Sequence, residues 1–266
     1  RMPDPVLQQV EHFNNPGITQ NDAFKSVTRY FDRITRPEQI LQTLPQAIQV
    51  LLDPADCGPA CISLSQDIQG ETYEYPEEFF IERVHNIRRP KPDDFQVKQA
   101  VEKIKNSKNP IIISGGGVFY SSAMEELSSF AIKHNIPVTQ TVMGYSSMKR
   151  DHSHFLGPIG GLGGKAANNL AKQTDLAIAI GTKLADFTTG SWANFENPEF
   201  KLISINVSRF DANKHMASSV IGDAKVSLNE LSQALGNWKA PDAWHKKSVN
   251  ELKSWNEYVD KESGPT

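Results

Sequence analysis

The sequence predicts an α/β protein built on a doubly wound parallel sheet, preceded by the C-terminal part of a second α/β domain. Three observations carry this reading. Beyond residue 94, helical periodicity alternates with short apolar runs, those runs are apolar on both faces, and several end in glycine or a polar turn. Strands without a polar face must be covered on both sides, as in a parallel sheet between two helical layers.

Taken in order, residues 37–52 place Ile40, Leu41, Leu44, Ala47, Ile48 and Leu51 at helical spacing behind Pro37, a residue suited to a first turn. Asp53-Pro54 and Gly58-Pro59 end that helix, and Ala60–Leu64 reads as a buried strand. From Thr72 to Asp94 the composition turns to Tyr, Pro, Glu and Arg without an apolar period, which marks a linker. Helices then follow at 94–107, 121–134, 163–173 and 224–235, with strands at 111–114, 136–139, 176–180, 202–206 and 219–221. In 241–260, Trp244, Val249, Leu252, Trp255 and Val259 share a helical face, expected to pack on a neighbour outside this sequence. The expected domains are 1–71, a linker at 72–93, a Rossmann-like domain at 94–236 and a linker helix at 237–266. The opening at Arg1 and the stop at Thr266 suggest that both ends are cut.

The 266 residues carry a formal charge of -3 without a block of like charges. This gives no electrostatic footprint for nucleic acid or an anionic membrane. Arg88-Arg89-Pro90-Lys91 reads as a solvated linker. No apolar run approaches the roughly 20 residues that span a bilayer, and residues 1–5 lack a signal-peptide core, so a cytoplasmic protein is expected. Cys57 and Cys61 form a lone C-x-x-x-C and are expected to be buried as small apolar residues.

Candidate ligand positions lie at the carboxyl ends of strands. Gly115-Gly116-Gly117 follows the first strand of the larger domain, but the next helix is expected only at Ser121 or Ser122, and no G-x-G-x-x-G spacing exists. A ligand cradle and a plain tight turn both fit. Gly160, Gly161, Gly163, Gly164 and Lys165 lead into a helix whose amides could cradle an anion, although Ala166 stands where a P-loop needs Ser or Thr. Thr182 and Lys183 follow Leu176–Ile180, and Asn206 ends another strand. His152 and His154 are expected in solvent, and Asp186 and Asp211 are expected as turn or cap residues.

These residues, in this order, resemble the thiamine diphosphate-dependent enzymes of the acetolactate synthase-like kind. Pro110–Gly117, Gly157–Gly160, Ala166-Ala167-Asn168, Thr174–Gly190, Ile203–Val207 and Gly222-Asp223-Ala224 are similar to successive parts of that family's central domain. Gly58–Gln69 is similar to the closing strand of its pyrimidine-binding domain, with Ser65 where proline is usual. Arg1–Gln9, Asn21–Lys25, Arg29–Ile34, Arg36–Gln39 and Tyr75–Phe80 resemble most closely the inositol-catabolism branch, which hydrolyses a cyclic trihydroxy-dione to a 5-deoxy-glucuronate.

The resemblance implies an enzyme in which the thiamine ylid adds to one carbonyl of the dione, the cofactor ring takes up electrons as the adjacent C–C bond breaks, and water completes hydrolysis. It also implies magnesium and a homodimer or tetramer. The family's activating glutamate and its Gly-Asp-Gly with a following Asn-Asn are both missing: Gly222-Asp223 precedes Ala224, and Asn168-Asn169 comes before it. No residue is therefore expected to be catalytic, and the chain alone is expected to be inactive. Relatives' central domains hold flavin dinucleotide, ADP or nothing. An empty, structural domain is expected here, with Gly115–Gly117, Gly160–Lys165 and Thr182-Lys183 as the contacts if a nucleotide binds. An acetolactate synthase-like carboligase and a non-catalytic nucleotide-binding module are the alternatives.

Overall fold

Pro37 does open a helical segment. A 3-10 turn at Pro37–Gln39 runs into α1 (Ile40–Leu52), which connects strand β1 (Tyr30–Ile34) to β2 (Ala60–Leu64) in the computed structural model. The structure describes Asn14 and residues 20–264, and the chain divides into two units, Arg1–Arg88 and Arg89–Thr266. The resemblance at Arg1–Gln9 lies outside the described residues.

In the first unit β1 and β2 pair in parallel, from Tyr30 beside Ala60 to Ile34 beside Leu64. The Gln39 carboxamide oxygen accepts from the amides of Thr35 and Arg36 at 2.6 and 2.9 Å, holding the turn between β1 and α1. β1 escaped the sequence reading because Asp32 and Arg33 interrupt its apolar pattern. The fold satisfies both, with Thr43 donating to Asp32 at 2.5 Å and Arg33 pairing Asp22 at 2.7 Å. Cys57 is exposed and Cys61 half-buried, both free thiols, which corrects the expectation of two buried cysteines. Cys57 follows the Asp53–Asp56 turn, where the chain runs along the surface. After β2, a short turn at Glu77–Phe80 gathers Tyr73, Tyr75, Phe79 and Phe80, with neighbouring ring centroids 5.1 to 6.2 Å apart.

The second unit begins with Arg89 and Lys91 engaged rather than merely solvated: Arg89 pairs Asp223 at 3.0 Å and Lys91 pairs Glu230 at 3.2 Å. Helix α2 (Asp94–Lys105), capped by Asp93, leads to β3 (Pro110–Ser114). Contrary to the expected delay, a helix opens directly behind Gly115 as α3 (Gly116–Tyr120). It breaks at Ser122, whose φ is +52°, and α4 (Met124–His134) resumes the course. Next come β4 (Val138–Gln140), β5 (Phe155–Pro158), α5 (Lys165–Ala171), β6 (Leu176–Ile180) and α6 (Asp186–Thr189). The unit closes with β7 (Lys201–Asn206), α7 (Arg209–Ala212), β8 (Ser218–Ile221), α8 (Ala224–Leu235) and α9 (Asp242–Ser263).

Six strands form one sheet in the order β5-β4-β3-β6-β7-β8, every pairing parallel. Alternate residues of each strand feed two cores. Ile112, Ile178 and Ile203 face the layer of α2, α4 and α8, while Ile111, Ile113, Ala177 and Ala179 face α5 and α9. The central isoleucines are fully buried, each contributing about 2 kcal/mol of apolar transfer.

The partner expected for α9 outside the sequence is present within it. Trp244 is buried and donates its indole N–H to the Pro110 carbonyl at 2.8 Å, and Leu252 and Trp255 pack on the α5 core. The stripe was legible, but its counterpart lies far away along the chain.

Candidate functional site

The sheet order reverses between β3 and β6: from β3 the chain moves outward to β4 and β5, then returns to β6 and continues the other way. Such switch points open a crevice at the carboxyl ends of the strands. A cavity of about 430 Å³ lies there, lined by the Gly116-Gly117 turn, Thr141–Met143 after β4, and Gly181–Lys183 after β6. Gly115 is not in the lining and packs against Gly181 and Thr182, while its neighbours Gly116 and Gly117 and the Thr182-Lys183 pair bring two of the three predicted segments together. From the third, Gly160–Lys165, Leu162 enters the lining beside Ile159, while Gly160, Gly161, Gly163, Gly164 and Lys165 are not in it. Thr141, Val142 and Met143 were overlooked in the sequence. Their place directly after a parallel strand was the available signal.

The glycines are required by backbone packing. Gly115 and Gly117 press against the Gly181 turn: a Cβ on Gly117 would lie 2.6 Å from the Gly181 Cα, and Gly181 itself has φ +59°. Their amides are committed, Gly115 N–H to Ile180 O at 2.8 Å and Gly117 N–H to Gly181 O at 2.9 Å. The second glycine cluster is closed in the same way. Gly160, Gly161, Gly163 and Gly164 donate to Asn168 Oδ1, Phe187 O, Gly160 O and Pro158 O at 2.9, 2.7, 2.9 and 2.8 Å. Lys165 is exposed.

The rim is apolar. Tyr120, Met143, Leu162 and Phe187 are 77, 72, 76 and 72% exposed around the opening, and Lys183 is the charged side chain of the lining. Among the described residues no Asp, Glu, His or Cys lines it, so the crevice can seat an apolar or planar group but holds no acid–base pair. Asp186 heads α6 in its first turn, and Asp211 pairs Lys214 at 2.5 Å.

The histidines depart from expectation. His154 is buried, with its ring stacked on His245 at 4.0 Å and 11° and with His152 5.8 Å away. Desolvation, with the neighbouring His245 and His152 adding to it, pulls the His154 pKa down to about 4. The cause of the burial is α9, whose first turn lays His245 over the end of the loop before β5.

Residues 97–231, just over half of the chain, match the family model "Thiamine pyrophosphate enzyme, central domain". The chain belongs to the thiamine pyrophosphate enzyme family. The matched residues lie within the second unit described above. The chain is also 49% identical over 257 residues to 3D-(3,5/4)-trihydroxycyclohexane-1,2-dione hydrolase of Clostridium perfringens (strain 13), covering 97% of this chain and 40% of that protein. Proteins of the same name from Clostridium tetani and Bacillus subtilis (strain 168) are each 46% identical, over 276 and 240 residues, 100 and 90% of this chain and 42 and 38% of theirs. The chain thus spans about two fifths of the length of these curated relatives.

The family's cofactor is thiamine pyrophosphate, yet the central domain's own residues do not fit its charged end. Asp223 caps α8 through the amides of Lys225 and Val226 at 3.0 and 3.2 Å and pairs Arg89, which commits its carboxylate. Asn168 binds both backbone groups of Gly160, and Asn169 donates to Glu251 at 3.2 Å. Among the described residues no group of three or more His, Cys, Asp or Glu is placed to hold a metal ion.

Proposed function

We propose that this chain is the middle of a thiamine diphosphate-dependent hydrolase that opens 3D-(3,5/4)-trihydroxycyclohexane-1,2-dione to 5-deoxy-glucuronate in myo-inositol degradation. The observation that carries this is the 43–49% identity to hydrolases of that name along nearly the whole chain, well beyond the segment the family model covers. Thiamine diphosphate and magnesium are held by parts of the protein outside this sequence. No residue here takes a covalent or proton-transfer role, a reading supported by the crevice's lack of an acid–base pair.

The central domain acts as a rigid spacer whose sheet and two helical layers hold the reaction-bearing parts in position. Its crevice works without a nucleotide, a reading supported by the partners that the amides of Gly115, Gly117, Gly160, Gly161, Gly163 and Gly164 already have within the protein. The intact protein is a cytoplasmic homodimer or tetramer; for the described residues, no helix is long and apolar enough to cross a membrane.

Assay of the intact enzyme with the cyclic dione and with pyruvate tests the activity. Ring opening without pyruvate consumption is expected. Pyruvate consumption without ring opening would instead identify a carboligase of the acetolactate synthase kind.

A further inference from the structure

We infer that the apolar rim of the crevice is a docking surface, and that its occupant is the part of the same polypeptide that follows α9 in the intact enzyme. This rests on the reading of the chain as the middle of a longer protein and adds to it the surface on which a neighbouring part is held.

Tyr120, Val142, Met143, Leu162 and Phe187 line the opening, each at least 65% exposed. They come from four separate segments: the end of α3, the turn after β4, the glycine loop before α5, and α6. The sheet therefore gathers them, rather than one loose loop. Among the described residues Lys183 alone is charged in the lining. Single exposed apolar side chains are ordinary on a protein surface, but several gathered round one opening mark a place of contact. Aromatic rings and a methionine with few charges are also the composition of an interface core. The neighbouring glycine amides already have partners, which favours a protein occupant over a phosphate.

The course of α9 selects the occupant. Asp242 accepts from Asn135, before β4, at 3.0 Å, and Trp244 donates to Pro110 at the start of β3. Further on, Lys247 donates to Gln173 behind α5, and Glu251 accepts from Asn169 within α5 at 3.2 Å. Trp255 then lies against Gly164, the N-cap of α5, where a Cβ would sit 3.1 Å from the indole nitrogen. Helix α9 thus runs antiparallel to α5, from the amino end of the sheet to the carboxyl end where the crevice opens. Gly164 is close in the chain to Leu162 of the rim, and residues 256–263 carry the helix on by about 12 Å. Tyr258 and Val259 in that stretch are exposed as well. A part joined to α9 starts beside the crevice and meets the rim at an effective concentration on the order of millimolar, whereas a second copy must arrive from solution. The matched family model is that of a central domain, and the stretch shared with the Clostridium perfringens relative is 40% of that protein, which leaves length for such a part.

The intact enzyme is irradiated with the photocrosslinker p-benzoylphenylalanine in place of Leu162 or of Phe187, and the joined peptides are mapped. Crosslinks to peptides beyond α9 are expected, at unchanged mass on a denaturing gel. The same photocrosslinker in place of Ile132, exposed on α4 in the opposite helical layer, should give none to those peptides. The apolar dye anilinonaphthalenesulfonate should gain fluorescence with this chain, about fivefold less with the intact enzyme, and about half as much with the chain carrying Leu162→Ser and Phe187→Ser together. Both of those side chains are exposed, so their truncation spares the core. Crosslinks at doubled mass would assign the rim to a second copy, and crosslinks into residues 1–88 or anything before them would assign it to a preceding part. An absence of crosslinks would leave it to solvent or to a small ligand. Each of these results overturns the inference, as does equal crosslinking from Ile132 or equal dye fluorescence with the chain and the intact enzyme. The map reads neither dione nor pyruvate, so a failure of the hydrolase assignment shows separately in the turnover assay.

Discussion

Where β3 and β6 end, Gly117 and Gly181 meet backbone to backbone, and a methyl group on either has nowhere to go. Gly181→Ala combines this overlap with a left-handed φ, so a loss of about 2 kcal/mol is expected in urea unfolding. A loss under about 0.5 kcal/mol would mean that the two turns separate easily. The glycines themselves were legible in the sequence. Their reason was not, because it depends on β6 lying beside β3. His154 carries the same lesson, since its partner His245 belongs to a distant helix and no local pattern announces the stack. Its folded pKa of about 4 lies below the ordinary 6.5, so the unfolded chain binds the extra proton first. The stability due to neutral His154 is present above pH 6.5, falls as pH drops toward 4 and is lost once the folded group also protonates. His134, His152 and His245, lowered chiefly by desolvation, add in the same direction. Urea midpoints at pH 7 and pH 5 should therefore differ, with the lower value at pH 5, and His154→Gln should narrow the difference. An unchanged difference in that variant would place the effect elsewhere.

Among the elements, regular helices and fully apolar strands were legible because their own periodicity declares them. β1 and β5 were not. Asp32 and Arg33 break the alternation in β1, and in Phe155-Leu156-Gly157-Pro158 two apolar residues run straight into glycine and proline, which an edge strand tolerates. Helix α9 falls between the two cases, since its apolar stripe was visible while its partner was misplaced. The docking now has a specific anchor in the Trp244 indole N–H on Pro110 O at 2.8 Å. Trp244→Phe keeps much of the apolar contact and leaves that carbonyl without the indole donor, so a loss of about 1–2 kcal/mol is expected by chemical denaturation. An equal loss in hydrogen-exchange protection along α9 would show that the helix and the sheet unfold together. Full retention of stability would show that the bond contributes nothing.

For the whole molecule, a doubly wound parallel sheet follows from strands that are apolar on both faces, and this much is legible in the sequence. The candidate site was legible only in part. Two of the expected strand-end segments line one crevice, but Gly115 and Gly117, expected to greet a ligand, instead pack against the Gly181 turn with their amides committed. This supports the account's central proposal, that the domain supplies scaffold and the cofactor chemistry belongs to other parts of the protein. Calorimetric titration of this chain with thiamine diphosphate and magnesium tests that claim most directly. The account predicts no saturable heat at millimolar cofactor, and a magnesium-dependent, one-to-one binding curve would contradict it.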